Sequence, residues 1–330
     1  MRFSRWWKMT RIAVLVPCLN EALTIGKVIE DFYESLPGCS VFVCDNGSSD
    51  QSAEISKLRG ATVLYEHRKG KGFAVSRMFR DIDASIYILV DGDDTYDPGI
   101  AGSMVKLVEE GYDLVNAVRV AEKTSEVYRP GHQLGNRILT ETVQALFGDD
   151  IADMLSGYKA LSRRFVKSFP VFSEGFEIET EIVVHALEMG VAIINIKAPY
   201  RSRPPGSQSK LHSFRDGKRI LVQILILLKQ EKPLVLFSLF GLFLTLMSLA
   251  AGVPVIQDYF QTGLVPRLPT ALLSTGMMIL GFLSFFAGLI LDTVSRGRKE
   301  AKMLAFLSIP APDHSKDSLI APLAGKILEG

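Results

Sequence analysis

The sequence predicts an α/β domain with a mainly parallel sheet, followed by a juxtamembrane interfacial helix and a hairpin of two transmembrane helices. Short apolar runs alternate with segments of helical spacing in the first part of the chain, and two long uncharged runs follow. Of the 330 residues, 48% are hydrophobic and 22% are charged, and the mean hydropathy of +0.21 is too apolar for an ordinary soluble protein. Part of the chain should therefore lie in lipid.

The alternation of strands and helices predicts the sheet. The predicted elements are, in chain order, strand 11–16, helix 22–35, strand 41–44, strand 61–65, helix 73–81 and strand 85–90. Strands that alternate with helices form a parallel sheet, and ligands of such sheets gather at the carboxyl ends of the strands. Polar clusters follow two of these strands, DNGSSD at residues 45–50 and DGDD at residues 91–94. We expect the functional site at that edge.

Charge, cysteines and motifs exclude several classes of protein. With 37 basic and 36 acidic side chains the formal net charge is +1, so we expect no nucleic-acid partner. Cys18, Cys39 and Cys44 lack CxxC spacing and no HExxH motif occurs, which argues against a disulfide scaffold and a zinc site. The glycines of residues 70–72 lack GxGxxG spacing after a strand, and no GxxxxGK[ST] occurs, which argues against dehydrogenases and P-loop enzymes.

Two uncharged runs, at residues 234–256 and 270–291, predict transmembrane helices. At about 1.5 Å per residue, each is long enough to cross about 30 Å of hydrocarbon. Only residues 257–269 separate them, so they must form a hairpin. Basic residues lie outside the hairpin on both sides: Lys229, Lys232, Arg296, Arg298, Lys299 and Lys302. By the positive-inside rule both flanks face the cytoplasm, and we expect an integral protein of the plasma (inner) membrane.

These features divide the chain into segments. We predict a cytoplasmic α/β domain over residues 1–216 and an interfacial helix over residues 217–232, whose apolar stretch is too short to span a bilayer. The transmembrane hairpin covers residues 233–295, and residues 296–330 form a cytoplasmic tail.

Three acidic residues, Asp91, Asp93 and Asp94, follow the last predicted strand. Carboxylates this close in sequence repel each other unless a cation lies among them, and hard oxygen ligands favour Mg²⁺ or Mn²⁺. We therefore predict a metal ion held by Asp91 and Asp93. A solvated acidic turn is the alternative, because short acidic patterns are common in turns.

Four ordered motifs carry a resemblance to a known family: PCLNEALTIGKVI, CDNGSSD, KGKGFAVSRM and ILVDGDDTYDP. Together they resemble the family-2 glycosyltransferases of the GT-A fold, in particular the branch that acts on polyprenyl phosphates such as dolichyl phosphate. The resemblance continues through DMLSGYKALSRRF, GFEIETEI and RSRPPGSQSKLHSFRDG, so it covers about residues 11–230. It implies an inverting transfer of a sugar from a UDP- or GDP-linked donor to a polyprenyl phosphate in the cytoplasmic leaflet.

Two positions depart from the family pattern. Asn46 stands where the family's DDGS motif has its second acid, and Thr95 stands where some relatives have Gln. No QxxRW motif occurs, which disfavours the processive polysaccharide synthases of the same superfamily.

The resemblance implies a donor site. The implied nucleotide-sugar contacts are Pro17, Asn20, Glu21, Asp45, Lys71, Asp91, Arg203 and Lys210. Asp45 would accept a hydrogen bond from the base, and Lys71 would lie near the ribose or the phosphates. Helix capping is an alternative role for Asn20 and Glu21, and the two roles can coexist.

The basic segment that holds Arg203 and Lys210 is rich in Pro, Gly and Ser and resembles a mobile cationic lid over the diphosphate. Attraction to anionic lipid headgroups explains the same charges almost equally well. Upstream, Glu177 and Glu179 of GFEIETEI could face the sugar, whereas a solvated helix start accounts for Glu181.

On the acceptor side the resemblance places Arg129, Arg137 and Ser156 at the lipid phosphate, which a guanidinium fork recognises well. A solvated pair of arginines is the alternative. Asp93 and Asp153 are the implied catalytic residues, with Asp153 beside the anomeric carbon. A phosphate monoester, with a second pKa of about 6, is mostly an anion at pH 7, so Asp153 either deprotonates the acceptor or only orients it.

The sequence thus predicts a membrane-anchored, metal-dependent polyprenyl-phosphate glycosyltransferase. Its expected partners are a nucleotide-sugar donor, a polyprenyl-phosphate acceptor and membrane lipid, and a homo-oligomer stays open. Two rival functions are a glycosyltransferase for another lipid acceptor, which would need a true base, and a non-catalytic nucleotide-sugar-binding scaffold. The intact acidic cluster argues against the scaffold.

Overall fold

A computed structural model describes residues 10–121, 152–175, 177–201, 226, 229 and 232–310. The chain divides into two compact units, of which the first comprises residues 1–216 and 302–330 and the second comprises residues 217–301. Apart from residues 226, 229 and 232, the predicted interfacial helix lies outside the described residues.

The described part of the first unit is built on a seven-stranded sheet. Its strands are β1 (Thr10–Cys18), β2 (Ser40–Asp45), β3 (Thr62–Tyr65), β4 (Ala84–Leu89), β5 (Leu114–Ala121), β6 (Lys159–Ser162) and β7 (Ile193–Tyr200). Their order is β3-β2-β1-β4-β6-β5-β7. Only β6 runs antiparallel, to β4 on one side and to β5 on the other. The predicted mainly parallel sheet is therefore confirmed.

Helices cover both faces of this sheet. They are α1 (Ile25–Ser35), α2 (Ser52–Leu58), α3 (Lys71–Asp81), α4 (Ala101–Glu109), α5 (Arg163–Ser168) and α6 (Ile178–Met189). The helix predicted from residue 22 begins at Ile25 instead. The reason is that side chains from the loop after β2 and from the start of α2 hold residues 21 and 22: Ser52 Oγ accepts from Glu21 N at 2.8 Å and Asp50 Oδ2 accepts from Ala22 N at 3.0 Å.

The core lies on either side of the central strands. Val14 and Val16 of β1 pack in one cluster with Ile25 and Ile29 of α1, and all four are fully buried. Because side chains alternate along a strand, Leu15 points to the opposite face, which α3 covers. A strand covered on both faces needs an unbroken apolar run, and this explains why the β1 segment shows no alternation with polar residues. Each such side chain contributes about 1.5–3 kcal/mol by burial.

The second unit contains two helices that are long and apolar enough to span a membrane. They are α7 (Pro233–Thr262) and α8 (Leu268–Leu307), whose residues from Lys302 onward belong to the first unit. A core helix of a soluble protein would be mostly covered, whereas only 11% of the most apolar stretch of each of these helices is buried.

Small residues let α7 and α8 approach closely. A Cβ atom built on Gly241 would lie 2.7 Å from the carbonyl oxygen of Gly281, and one built on Gly252 would lie 2.9 Å from Ser274 Oγ. Ser248 Oγ donates to the Ser274 carbonyl at 2.7 Å. Close backbone approach and a hydrogen bond between helices are what associates apolar helices in lipid, where no hydrophobic force acts between them.

Both helices are longer than the predicted spans. The first continues past residue 256 to Thr262, where Gly263 adopts a left-handed conformation with φ of 67°, and the second continues past residue 291 to Leu307. The sequence prediction counted only uncharged residues, whereas a helix can continue with charged residues beyond the hydrocarbon layer. The predicted tail therefore begins inside a helix.

Candidate active site

Three loops meet at the carboxyl edge of the sheet because of the strand register. Parallel β1 and β4 pair Leu15 with Leu89, so the loops that follow them leave side by side. Antiparallel β6 pairs Lys159 with Leu89, so the segment that precedes β6 reaches the same edge. Asp91 and Gly157 consequently lie so close that a Cβ atom on Gly157 would overlap the Asp91 carboxylate.

Lys71 holds two carboxylates at this edge. Its Nζ lies 2.5 Å from Asp91 Oδ1 and also donates to Glu179 Oε1. The Lys71 side chain is 9% exposed and that of Glu179 is 6% exposed. Burial alone would lower the pKa of Lys71, but the two carboxylates outweigh it and raise that pKa far above its ordinary value. Burial raises the pKa of Glu179, and Lys71 offsets part of that effect.

Two glycines allow Lys71 to reach Glu179. Gly70 N-caps α3 with φ of 144°, and Gly72 N donates to the Glu174 carbonyl at 3.1 Å. A Cβ atom on Gly72 would overlap the carbonyl oxygen of Ser173, and one on Gly70 would overlap that of Glu174. The KGKG motif is therefore a packing requirement that brings the start of α3 against the segment before α6.

The acidic loop after β4 is held by short local contacts. Thr95 Oγ1 donates to Asp93 Oδ1 at 2.6 Å, and Asp93 is 4% exposed. Asp94 is left-handed, with φ of 55°, and accepts from Lys27 Nζ at 2.8 Å. Thr95, which departs from the family pattern, thus orients Asp93, and Asp94 forms an ion pair that stabilises the turn.

The loop after β1 is tied to the loop after β2. Asn20 is left-handed, with φ of 51°, and its Oδ1 accepts from Ser49 N at 2.7 Å while its backbone N donates to Ser48 Oγ at 2.9 Å. The Asn20 side chain therefore stabilises the neighbouring loop. Pro17, at the end of β1, pairs in register with Cys44.

The hydrogen bonds of Asn46 explain why an amide stands here in place of the family's acid. Its Nδ2 donates to the Glu66 carbonyl at 3.1 Å and to the Arg68 carbonyl at 2.7 Å, and its Oδ1 accepts from Gly70 N at 2.7 Å. A carboxylate could not make the two donations. Asn46 thereby fixes the loop that delivers Lys71. Its neighbour Asp45 is 7% exposed and accepts from Ser48 N at 3.3 Å.

Asp153 is bound by an arginine on β5. Arg119 Nε lies 2.7 Å from Asp153 Oδ2 and Arg119 Nη2 lies 2.8 Å from Asp153 Oδ1. Burial alone would raise the pKa of Asp153, but the guanidinium outweighs it and lowers that pKa below its ordinary value. A carboxylate with both oxygens in a guanidinium fork is a poor proton acceptor, which favours an orienting role for Asp153.

A second buried lysine lies beside this pair. Lys159 is fully buried, and its Nζ donates to Asn116 Oδ1 at 2.6 Å. Asn116 Nδ2 in turn donates to the Asp153 carbonyl at 3.0 Å. Burial lowers the pKa of Lys159 to about 8. Ser156 is also fully buried, and its Oγ accepts from Tyr158 N at 3.3 Å. Its contact with the lipid phosphate stays a prediction.

Four of the predicted contacts, Arg129, Arg137, Arg203 and Lys210, lie outside the described residues and stay predictions. Sequence reasoning missed Arg119, Asn116 and Lys159. Their signal was a polar or basic residue within a short apolar strand, LVNAVRVA for β5 and KALS for β6, where a solvated side chain has no place.

Asp91 and Asp93 suit a divalent cation by the chemistry of their oxygens. Among the described residues, no group of three or more His, Cys, Asp or Glu side chains could hold a metal alone. Mg²⁺ sites commonly use only one or two carboxylates together with substrate phosphates and water. The two aspartates fit that number of protein ligands.

The mainly parallel sheet, with carboxylates and a buried lysine at its carboxyl edge, is consistent with a GT-A domain, the fold of many sugar-transferring enzymes. The family model "Glycosyl transferase family 2" matches residues 13–169, and the chain belongs to that family. The predicted membership and fold class are confirmed, and the protein is a glycosyltransferase.

Two relatives come from Haloferax volcanii. Glycosyltransferase AglJ is 31% identical over 295 residues, which is 89% of this chain and 97% of that protein. A dolichyl-phosphate hexose transferase is 27% identical over 221 residues, which is 67% of this chain and 95% of that protein. Among solved structures, glucosyl-3-phosphoglycerate synthase from Mycobacterium tuberculosis, in complex with Mn²⁺ and UDP-glucose, superposes with a TM-score of 0.53. At 22% identity over 66% of this chain and 78% of that chain, this likeness concerns the fold.

Proposed function

We propose that this glycosyltransferase transfers a hexose, with inversion, from a UDP- or GDP-linked donor to a polyprenyl phosphate. The similarity to a dolichyl-phosphate hexose transferase supports the acceptor class. The two helices that are long enough to span a membrane support an acceptor that is itself a membrane lipid. Basic residues before α7 and in the last part of α8 support a cytoplasmic orientation of the catalytic domain at the inner membrane.

The observation that carries this proposal is the Arg119 fork on Asp153. A lipid hydroxyl would have to lose its proton during the transfer, and a carboxylate already bound by a guanidinium accepts a proton poorly. A phosphate monoester arrives largely ionised at pH 7 and needs no base. One of its oxygens forms the new bond to the anomeric carbon while the bond from that carbon to the diphosphate breaks, and the electron pair leaves with the nucleoside diphosphate.

On the donor side, Asp45 would accept from the base, with Pro17, Asn20 and Glu21 lining the same pocket. Asp91 and Asp93 would hold Mg²⁺ or Mn²⁺, and an ion bound there would neutralise charge on the departing diphosphate. The structural neighbour in complex with Mn²⁺ and UDP-glucose supports this choice of ion.

The direct test uses the full chain in detergent with polyprenyl phosphate and a panel of UDP- and GDP-sugars, and identifies the lipid product by mass. We expect a polyprenyl-phosphate hexose from the wild type and none from Asp93→Asn. The matched control is Asp83→Asn, because Asp83 lies before β4 at the opposite edge of the sheet and pairs with Arg163 there. A product formed only with a lipid that lacks phosphate would favour the rival acceptor.

A second test separates an orienting role of Asp153 from a basic one. If Asp153 only orients, Asp153→Asn should lower kcat while the pH dependence of the rate keeps its shape, since the acceptor's own ionisation near pH 6 sets it. Loss of the acidic limb of that profile in the variant would show that Asp153 takes a proton.

A further inference from the structure

Lys71 contacts a carboxylate that is suited to hold the divalent ion. Its ammonium lies 2.5 Å from Asp91 Oδ1, an oxygen of one of the two carboxylates suited to a divalent ion. The same ammonium donates to Glu179, whose carboxylate is buried and whose Oε2 has no hydrogen-bond partner among the described residues. One positive charge is thus shared between a carboxylate that suits the ion and a buried carboxylate behind it.

We propose that Lys71 is an internal counter-cation that competes with the divalent ion for Asp91, so that tight binding of the ion requires the donor diphosphate. This inference rests on the proposed function and deepens it. It predicts that the diphosphate must bind before the divalent ion can bind Asp91 tightly. A Lys71 that always contacts the phosphates would impose no such order.

Electrostatics gives the reason for competition. An ammonium on Asp91 Oδ1 uses part of the negative charge that the ion would use, and it repels the ion from a few ångströms away in a site of low dielectric. A diphosphate brings negative charge of its own and is a good partner for a lysine ammonium, which is a compact charge on a flexible stem. With the diphosphate present, Lys71 can turn to it and release Asp91.

Glu179 keeps Lys71 within reach of both positions. The Lys71 side chain can exchange Asp91 for a phosphate while its bond to Glu179 persists, because Glu179 is on α6 and Asp91 is on the loop after β4. Glu179 also withdraws part of the lysine charge from Asp91. Removing the charge of Glu179 should therefore strengthen the contact of Lys71 with Asp91 and make competition stronger.

The experiment titrates the full chain in detergent with Mn²⁺ and measures free Mn²⁺ by electron paramagnetic resonance, with and without UDP or GDP. Without nucleotide, Lys71→Gln should bind Mn²⁺ more tightly than the wild type, by on the order of tenfold. Glu179→Gln should bind it more weakly. Damage to the fold would weaken binding in both variants, so the opposite signs identify competition.

Nucleotide provides the second readout. In the wild type, UDP or GDP should increase the affinity for Mn²⁺ strongly. In Lys71→Gln the increase should be smaller, because no lysine has to leave Asp91 before the ion binds. Lys57→Gln is the matched control: Lys57 lies on α2, with its Nζ 5.2 Å from the centroid of the Tyr65 ring, and its loss should change neither affinity.

Two results would overturn the inference. If the wild type binds Mn²⁺ with nucleotide but Lys71→Gln shows equal or weaker nucleotide-free affinity, competition by Lys71 is wrong and the metal-dependent function stands. If the wild type binds no Mn²⁺ even with UDP and GDP, the metal role and this inference fail together.

Discussion

Placing the acid of the family pattern at residue 46 should lower the stability of this protein. In Asn46→Asp the side chain keeps its size but loses both hydrogen atoms that it donates to the carbonyls of Glu66 and Arg68. Asn46 is 3% exposed, so water cannot replace these donations. Each lost hydrogen bond costs about 1 kcal/mol, and a buried carboxylate facing two carbonyl oxygens adds repulsion, which gives about 2–4 kcal/mol in total.

The assay has two arms. Thermal unfolding of the catalytic domain in detergent should shift down by about 5–15 °C, since each kcal/mol moves Tm by about 2–4 °C in a domain of this size. Because the altered loop delivers Lys71, the donor KM should rise while the acceptor KM changes little. The control is Asn20→Asp, whose Oδ1 accepts from Ser49 N at 2.7 Å, a bond that a carboxylate preserves, so Tm should stay near that of the wild type.

Unchanged Tm and donor KM in Asn46→Asp would refute the reasoning, because they would mean that the amide hydrogens do not hold the loop. A fall in Tm of similar size in Asn20→Asp would also contradict it, since added negative charge at this edge would then suffice as the cause.

Three further predictions concern other parts of the fold. Gly72→Ala should abolish activity and lower Tm, because its Cβ would overlap the Ser173 carbonyl; thermal unfolding and turnover check this. Burial lowers the pKa of His185 to about 4, below the ordinary 6.5. The contribution of neutral His185 to the free energy of unfolding is therefore complete above pH 6.5 and is lost as the pH falls toward 4. His185→Leu should remove up to roughly 3 kcal/mol of this acid sensitivity, measured by thermal unfolding between pH 7 and 4. Ser248→Ala should weaken hairpin packing by about 0.6 kcal/mol through loss of its bond to Ser274, with little effect on turnover.

The elements that the sequence predicted best are those set by local pattern. An uninterrupted apolar run predicted β1, and helical spacing predicted α3 within two residues of its observed start at Lys71. The parallel arrangement then placed Asp91 and Asp93 at the carboxyl edge, because all strands of one βαβ succession end on the same side. The position of the site followed from topology alone.

The ion pairs within the site could not be predicted from local sequence pattern. Arg119 and Asp153 are 34 residues apart, and they meet because β6 inserts antiparallel between β4 and β5. No local signal fixes that strand order. Lys71 and Glu179 are 108 residues apart and meet because glycines let α3 approach a backbone carbonyl. The sequence shows which charged residues are present, but only the packing of strands and helices shows which of them form ion pairs.

That pairing bears on the two roles that the sequence left open for Asp153, and it supports the proposal that Asp153 orients the acceptor. Arg119 Nε and Nη2 donate to the two carboxylate oxygens of Asp153, and the backbone N–H groups of Arg119 and Leu155 donate to them as well, so few lone pairs stay open for a proton. Freeing the carboxylate would also leave a largely buried cation unpaired, which is costly. An acceptor that brings its own negative charge avoids this cost, because it can share the arginine's remaining donors with Asp153 intact. The geometry therefore favours an ionised phosphate over a hydroxyl for the same reason that it makes Asp153 a poor base.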